Sequence, residues 1–123
     1  MNLILIVEDS EACASTLEIA LSAIPGCRVI SASSVEEARR QMERQKFCAV
    51  VTDIHLPGAD GFEFVAFIRS QPRLVSLPVV VISGDPAPDT ARLALERGAD
   101  AYFAKPYSPA AVRAKLEELL HAS

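Results

Sequence analysis

Cys48-Ala49-Val50-Val51-Thr52, closed by Asp53 and followed by Ile54-His55-Leu56-Pro57-Gly58-Ala59, is the stretch that decides the fold. The run is short, apolar and rich in β-branched residues, and polar positions do not alternate with apolar ones. A strand of this kind is buried on both faces, which is the mark of a parallel sheet. A parallel neighbour needs a crossover, usually a helix, and helix patterns lie on both sides. Upstream, Ser34-Val35-Glu36-Glu37 is a capping box, Val35, Ala38 and Met42 form a narrow inner stripe, and the charges from Arg39 to Lys46 read as a solvated face. Downstream, Asp60 through Glu63 offers a cap for a helix running to about Ser70.

The alternation continues outward in both directions. Leu3–Val7 reads as a buried strand ending in Glu8-Asp9-Ser10. Cys13, Leu17, Ala20, Leu21 and Ile24 share one helical face, and Pro25-Gly26 stops that helix. Cys27–Ser31 reads as an edge strand, because Arg28 and Ser31 interrupt it. Pro78–Ile82 is a fourth strand, followed by the loop Ser83-Gly84-Asp85-Pro86-Ala87-Pro88, whose two prolines restrict it. A helix then spans about Asp89 to Arg97, with Gly98 as its stop. Ala101–Ala104 is a fifth strand, ending at Lys105-Pro106. Ser108-Pro109 supplies a cap and a first-turn proline for a last helix, whose buried stripe is Val112, Leu116, Leu119 and Leu120. Five strands alternating with five helices imply a parallel sheet covered on both faces.

Composition limits the partners. The 123 residues are one domain's worth, half of them hydrophobic and 23% charged, with a net charge of −4. An acidic domain of this kind is poorly suited to direct binding of nucleic acid or anionic membrane. No apolar stretch is long enough to span a bilayer, and Glu8 and Asp9 interrupt the first apolar run at once, so a cytoplasmic location is expected. Cys13, Cys27 and Cys48 show no CxxC spacing, and their odd number argues against a disulfide framework or a zinc site. Each reads as a small, partly buried hydrophobe, and His121 as a solvated helix end.

In such a sheet, ligands bind beyond the carboxyl ends of the strands. Glu8 and Asp9 follow the first strand, Asp53 the third, Ser83 the fourth and Lys105 the fifth. A sheet that makes these strands neighbours gathers three carboxylates, a hydroxyl and an ammonium. Packed carboxylates repel, and a hard cation with oxygen ligands relieves them; Mg²⁺ also leaves positions for a phosphoryl oxygen. A carboxylate beside such an ion can act as nucleophile toward phosphorus. Alone, Asp53 is an ordinary turn residue and Glu8-Asp9 are helix-start acids favoured by the macrodipole. Their combination with Ser83 and Lys105 points to an aspartyl phosphate on Asp53.

Taken together, Val7-Glu8-Asp9, Val50-Val51-Thr52-Asp53-Ile54-His55-Leu56-Pro57-Gly58, Asp60-Gly61, Val81-Ile82-Ser83-Gly84, Gly98-Ala99-Asp100-Ala101-Tyr102 and Lys105-Pro106 make the whole chain resemble a response-regulator receiver domain of two-component signalling, of the single-domain, chemotaxis-regulator-like kind. The intervals Asp9 to Asp53, Asp53 to Ser83 and Ser83 to Lys105 are 44, 30 and 22 residues, as is usual in that family. The resemblance implies a flavodoxin-like (βα)5 three-layer sandwich with strand order 2-1-3-4-5, residues 1–123 being one receiver domain without an output domain. It implies that Asp53 accepts a phosphoryl group from the phosphohistidine of a histidine kinase or phosphotransfer protein, or from a small phosphodonor. Glu8, Asp9, Asp53 and the backbone carbonyl of His55 would hold Mg²⁺. Ser83 and Lys105 would contact the phosphoryl group, Tyr102 would turn inward with Ser83 as a switch, and the Lys105–Pro106 bond would be cis. His55 and Asp85 occupy positions that tune phosphoryl lifetime. The output would be a partner protein, or a second copy, reading the face of the fourth helix, fifth strand and fifth helix. The expected role is a phosphorelay switch and not a turnover enzyme.

Other readings fit less well. A pseudo-receiver that never carries phosphate has no need of intact Glu8, Asp9, Asp53 and Lys105. A haloacid-dehalogenase-like phosphatase resembles D-x-D with its nucleophile on the first strand, whereas here the aspartate is on the third and His55 replaces the second acid. A flavodoxin needs a phosphate-cradling loop after strand one, where Glu8 and Asp9 would repel the cofactor.

Overall fold

A computed structural model of the chain describes residues 2–56, 58–84 and 89–121. Five parallel strands form one sheet: β1 (Asn2–Val7), β2 (Cys27–Ala32), β3 (Ala49–Asp53), β4 (Val79–Ser83) and β5 (Ala101–Ala104). Their spatial order is β2-β1-β3-β4-β5, as the flavodoxin-like topology requires, with β2 at one edge. The helices are α1 (Glu11–Ser22), α2 (Val35–Arg44), α3 (Gly61–Ser70), α4 (Thr90–Glu96) and α5 (Pro109–His121).

Alternate residues of each strand feed two cores. Leu5, Val7, Val50, Val79 and Val81 face α2, α3 and α4, where Ala38, Phe64, Ile68 and Ala94 close the layer. Ile4, Ile6, Val51, Val80 and Ile82 face α1 and α5, where Leu17, Leu21, Val112 and Leu116 do so. β3 and β4 are buried along their whole length. Burial on both faces explains their unbroken apolar composition.

Helix starts follow the capping residues. The Ser10 hydroxyl accepts from the Cys13 N–H, Ser34 from Glu37, and Ser108 from Ala111. The capping box at α2 closes one residue early: Glu37 Oε2 accepts from the N–H and hydroxyl of Ser33, not from the N–H of Ser34.

Three details depart from the sequence expectation. β3 and β4 each start and end one residue later than the apolar runs suggest, so Asp53 and Ser83 are the last residues of their strands. The stretch after Asp53 is not a plain loop: His55–Leu56 pairs antiparallel with Ala59–Asp60, with Gly58 at φ +69 in the turn between them. A 3-10 turn, Pro72–Leu74, follows α3. Both extra elements are only two or three residues long, too short for hydrophobic periodicity to register.

Far from the expected site, Arg69 ties α3 to the lower end of the sheet. Its guanidinium donates to the carbonyls of Gly98 (2.8 Å) and Leu77 (2.7 Å), and pairs with Asp100 at 3.0 Å. Asp100 also accepts the Val79 N–H at 2.8 Å. The Arg69 stem runs across Gly98, where a Cβ would lie 2.6 Å from Arg69 Cγ. Gly98, at φ +115, serves both the turn and this passage.

Candidate functional site

The carboxyl ends of β1, β3, β4 and β5 meet in one acidic depression. Glu8 extends β1, its N–H bonded to Ala32 O at 3.0 Å. Its side chain is buried and its Oε2 accepts the Ser10 N–H at 3.3 Å. Asp53 closes β3 and is 4% exposed. Its Oδ1 accepts the His55 N–H at 3.0 Å, and its own carbonyl accepts the Thr52 hydroxyl at 2.9 Å. Asp9 is exposed at the rim. Carboxylate oxygens of Glu8, Asp9 and Asp53 lie within 4.8 Å of one another.

Lys105 joins the two buried acids. Its ammonium lies 2.7 Å from Glu8 Oε1 and 2.7 Å from Asp53 Oδ2. The Lys105–Pro106 peptide is cis. The Lys105 N–H donates to Ser83 O at 2.8 Å, which holds the start of the lysine against the end of β4. Gly84 runs beside the stem, where a Cβ would lie 3.7 Å from Lys105 Cδ.

One ammonium serves two buried carboxylates, and the titration behaviour follows from that. Burial raises the Glu8 pKa, and the neighbouring Asp53 charge raises it further; the Lys105 and Ser10 hydrogen bonds pull the other way without restoring it. Burial by itself would lower the Lys105 pKa, but hydrogen bonds to Asp53 and Glu8 carry it above the ordinary lysine value. The lysine is a fixed cation, and the site still has more negative than positive charge. Three clustered carboxylates, two of them buried, suit a hard cation with oxygen ligands such as Mg²⁺.

Most of the residues expected from the sequence converge here. Glu8, Asp9, Asp53 and Lys105 are in mutual reach, and Ser83, fully buried, adjoins Lys105 through the backbone. His55 presents an exposed ring at the mouth. Tyr102 stands apart: it is half-buried in β5, in register with Val81, and packs against the α2/α3/α4 core. Asp85, together with Pro86 and Pro88, lies outside the described residues.

Two contributors were not legible beforehand. Gly61 begins α3 hard against the end of β3: a Cβ there would lie 2.5 Å from Ile54 Cα and 2.7 Å from Asp53 O. Only glycine lets the helix approach the strand end this closely. Tyr107, with Cys13, Gly84, Lys105 and Pro106, lines a cleft of about 520 Å³ beside the site. Burial raises its hydroxyl pKa to about 12. Its place two residues after Lys105 is a sequence signal that could have found it.

Comparison with known proteins agrees with this geometry. The family model described as response regulator receiver domain matches residues 4–117. The alkaline phosphatase synthesis transcriptional regulatory protein PhoP of Bacillus subtilis is 35% identical over 120 residues, covering 98% of this chain and 49% of that protein. The transcriptional regulatory protein GltR of Pseudomonas aeruginosa is 32% identical over 117 residues, covering 95% of this chain and 48% of that protein. The chain therefore spans about half the length of these curated relatives. Among solved structures, the signal receiver domain of a signal transduction histidine kinase from Syntrophus aciditrophicus superimposes with a TM-score of 0.89 at 27% identity, covering 99% of this chain and 92% of that one. A CheY-like response regulator receiver domain protein from Methanospirillum hungatei gives 0.87 at 26%, covering 99% and 95%. This chain belongs to the response regulator receiver domain family.

Proposed function

We propose that the chain, residues 1–123, works as a phosphorylation-controlled receiver in a two-component phosphorelay. Asp53 is the phosphoacceptor. Its carboxylate attacks the phosphorus of a phosphohistidine on a histidine kinase or phosphotransfer protein; an O–P bond forms, the P–N bond breaks, and the imidazole leaves with the bonding pair and takes a proton. The observation that carries this reading is the buried Asp53 carboxylate, held at Oδ1 by the His55 N–H and at Oδ2 by Lys105, with two further acids alongside.

Glu8, Asp9, Asp53 and the backbone carbonyl of His55 are the proposed Mg²⁺ ligands. Bound there, the ion neutralises carboxylate charge and offers a position for one phosphoryl oxygen. Lys105, released from Asp53 as that side chain becomes an acyl phosphate, pairs with another phosphoryl oxygen. The Ser83 hydroxyl takes a third, and Tyr102 moves with it. His55 and Asp85 set how readily water reaches the acyl phosphate. The chemistry is limited to self-catalysed phosphorylation and hydrolysis, so the chain is a switch and not a turnover enzyme.

The output is a reshaped α4–β5–α5 face, read by a partner protein or a second copy. Leu95, 50% exposed on α4, and half-buried Tyr102 give that face apolar contact area. No helix among the described residues is long and apolar enough to cross a membrane. The test is beryllofluoride or acetyl phosphate with Mg²⁺, followed by NMR shifts across the chain. Wild type should respond at Asp53 and along β4–β5, and Asp53→Asn should not. An equal response in Asp53→Asn would remove the assignment.

A further inference from the structure

β3 is apolar until its last two residues: Ala49, Val50 and Val51 precede Thr52, and Thr52 is fully buried. Its register partners, Val7 on β1 and Val81 on β4, both belong to the α2/α3/α4 core, so its side chain faces that layer and not the acidic depression. A buried hydroxyl without a partner is costly. Thr52 satisfies its hydroxyl by donating to the Asp53 carbonyl at 2.9 Å, and the hydroxyl makes no other hydrogen bond among the described residues. Valine would match the neighbouring residues in both shape and polarity, so packing alone does not call for threonine here.

The accepting carbonyl belongs to the peptide that joins Asp53 to Ile54. The Ile54 N–H of the same plane donates to Ile82 O at 3.2 Å. In the next peptide, the Ile54 carbonyl accepts the Gly61 N–H at 2.9 Å, and the His55 N–H donates to Asp53 Oδ1 at 3.0 Å. Two consecutive peptide planes are thus each held at both ends. They carry the Asp53 carboxylate and lead into the His55 carbonyl, and turning the first plane would re-aim both. Three of these four holds come from the backbone or from Asp53 itself; Thr52 supplies the fourth. The Asp53 carbonyl also lies close to the start of α3, where a Gly61 Cβ would be 2.7 Å away, so hydroxyl and helix together limit its swing.

We propose, on the reading of Asp53 as phosphoacceptor, that Thr52 is a positioning residue of that site: its hydroxyl fixes the Asp53–Ile54 peptide and, through it, the aim of the Asp53 carboxylate and the His55 carbonyl. The hydroxyl bonds to no carboxylate and not to Lys105, so it acts only through the peptide. Losing a hydrogen bond that orients the groups around a metal costs about 10–100-fold in affinity or activity. In the sequence, Thr52 reads only as one more β-branched strand residue.

Two substitutions separate positioning from packing. Thr52→Val keeps the shape and deletes the donor; Thr52→Ser keeps the donor and deletes a methyl. A space-filling role makes valine the milder change, because serine leaves a void. Positioning makes serine the milder one. Both are compared with wild type as the full chain, at a temperature where far-UV dichroism shows each folded. Mg²⁺ affinity is read by NMR titration without phosphodonor, and acetyl-phosphate uptake at saturating Mg²⁺ by intact mass. Thr52→Val should weaken the first and slow the second at least about tenfold. Thr52→Ser should stay within about threefold of wild type, since only rotamer restriction is lost. In metal-free buffer the Asp53 carbonyl-carbon resonance should move in Thr52→Val and hold in Thr52→Ser. Wild-type behaviour of Thr52→Val, or a Thr52→Ser impaired as much as Thr52→Val, would overturn the proposal. A wild type that takes up no phosphate would instead remove the Asp53 reading, and the metal titration and carbonyl shift would still decide whether Thr52 aims the carboxylate.

Discussion

Replacing Lys105 with methionine keeps most of the stem and deletes the charge that Glu8 and Asp53 share. Both carboxylates are almost wholly shielded, with side-chain exposures of 0% and 5%, and each lies 2.7 Å from the ammonium. Breaking a fully buried pair costs about 3–5 kcal/mol, because the orphaned charge stays desolvated. Lys105 is 24% exposed, and the solvent that reaches it screens part of the interaction. The expected loss is therefore about 2–3 kcal/mol in metal-free buffer. With a urea slope near 2 kcal/mol per molar, the midpoint should fall by roughly 1–1.5 M.

The loss should also depend on pH, with a definite sign. The Glu8 pKa is already raised in the folded state, and removing the lysine raises it further. Above the ordinary glutamate range the folded state then holds a proton that the unfolded state has shed. Stability accordingly falls as pH rises through that window and recovers as pH drops. The deficit should be visibly larger at about pH 8 than at about pH 5. Mg²⁺ at about ten times its Kd should return roughly 1.4 kcal/mol by mass action. Urea denaturation of both proteins, with EDTA and with Mg²⁺ at the two pH values, measures all of this. A loss below about 0.5 kcal/mol, or one indifferent to both pH and Mg²⁺, would refute the view that Lys105 compensates two buried charges.

Three further outcomes follow from other parts of the molecule. Gly61→Ala should cost about 2–3 kcal/mol, because its Cβ meets the backbone of Ile54 and Asp53 and not a yielding side chain; it should also slow acetyl-phosphate uptake, and an unchanged Tm would contradict the close approach. Arg69→Ala should destabilise by about 2–4 kcal/mol through stranded carbonyls and an unpaired Asp100, while the beryllofluoride response persists; Arg69→Lys should recover less than half, since an ammonium cannot copy the planar fork. Burial raises Cys48 from 9.0 to about 11 and Tyr107 from 10.0 to about 12. Stability from these groups is intact below their unfolded values and lost as pH rises through the folded ones, so metal-free alkaline melts should decline first over the cysteine window, and Cys48→Ala should flatten that first part.

The order of elements was legible in the sequence because burial on both faces leaves unbroken apolar runs, and because Ser34 and Ser108 mark their helix starts chemically. The positions of Glu8, Asp9, Asp53, Ser83 and Lys105 at strand ends were legible for the same reason. That these ends converge was a matter of strand order, which local patterns do not encode and which the resemblance supplied. Other features existed only in three dimensions. Gly61 matters because α3 presses on the end of β3, and Arg69 because Gly98, Leu77 and Asp100 come to it from distant segments. The sharing of one ammonium between two buried acids likewise arises only on folding. The physical reason is common to all of them. Propensity and periodicity are short-range along the chain, whereas packing, desolvation and charge compensation act through space between residues the chain keeps far apart.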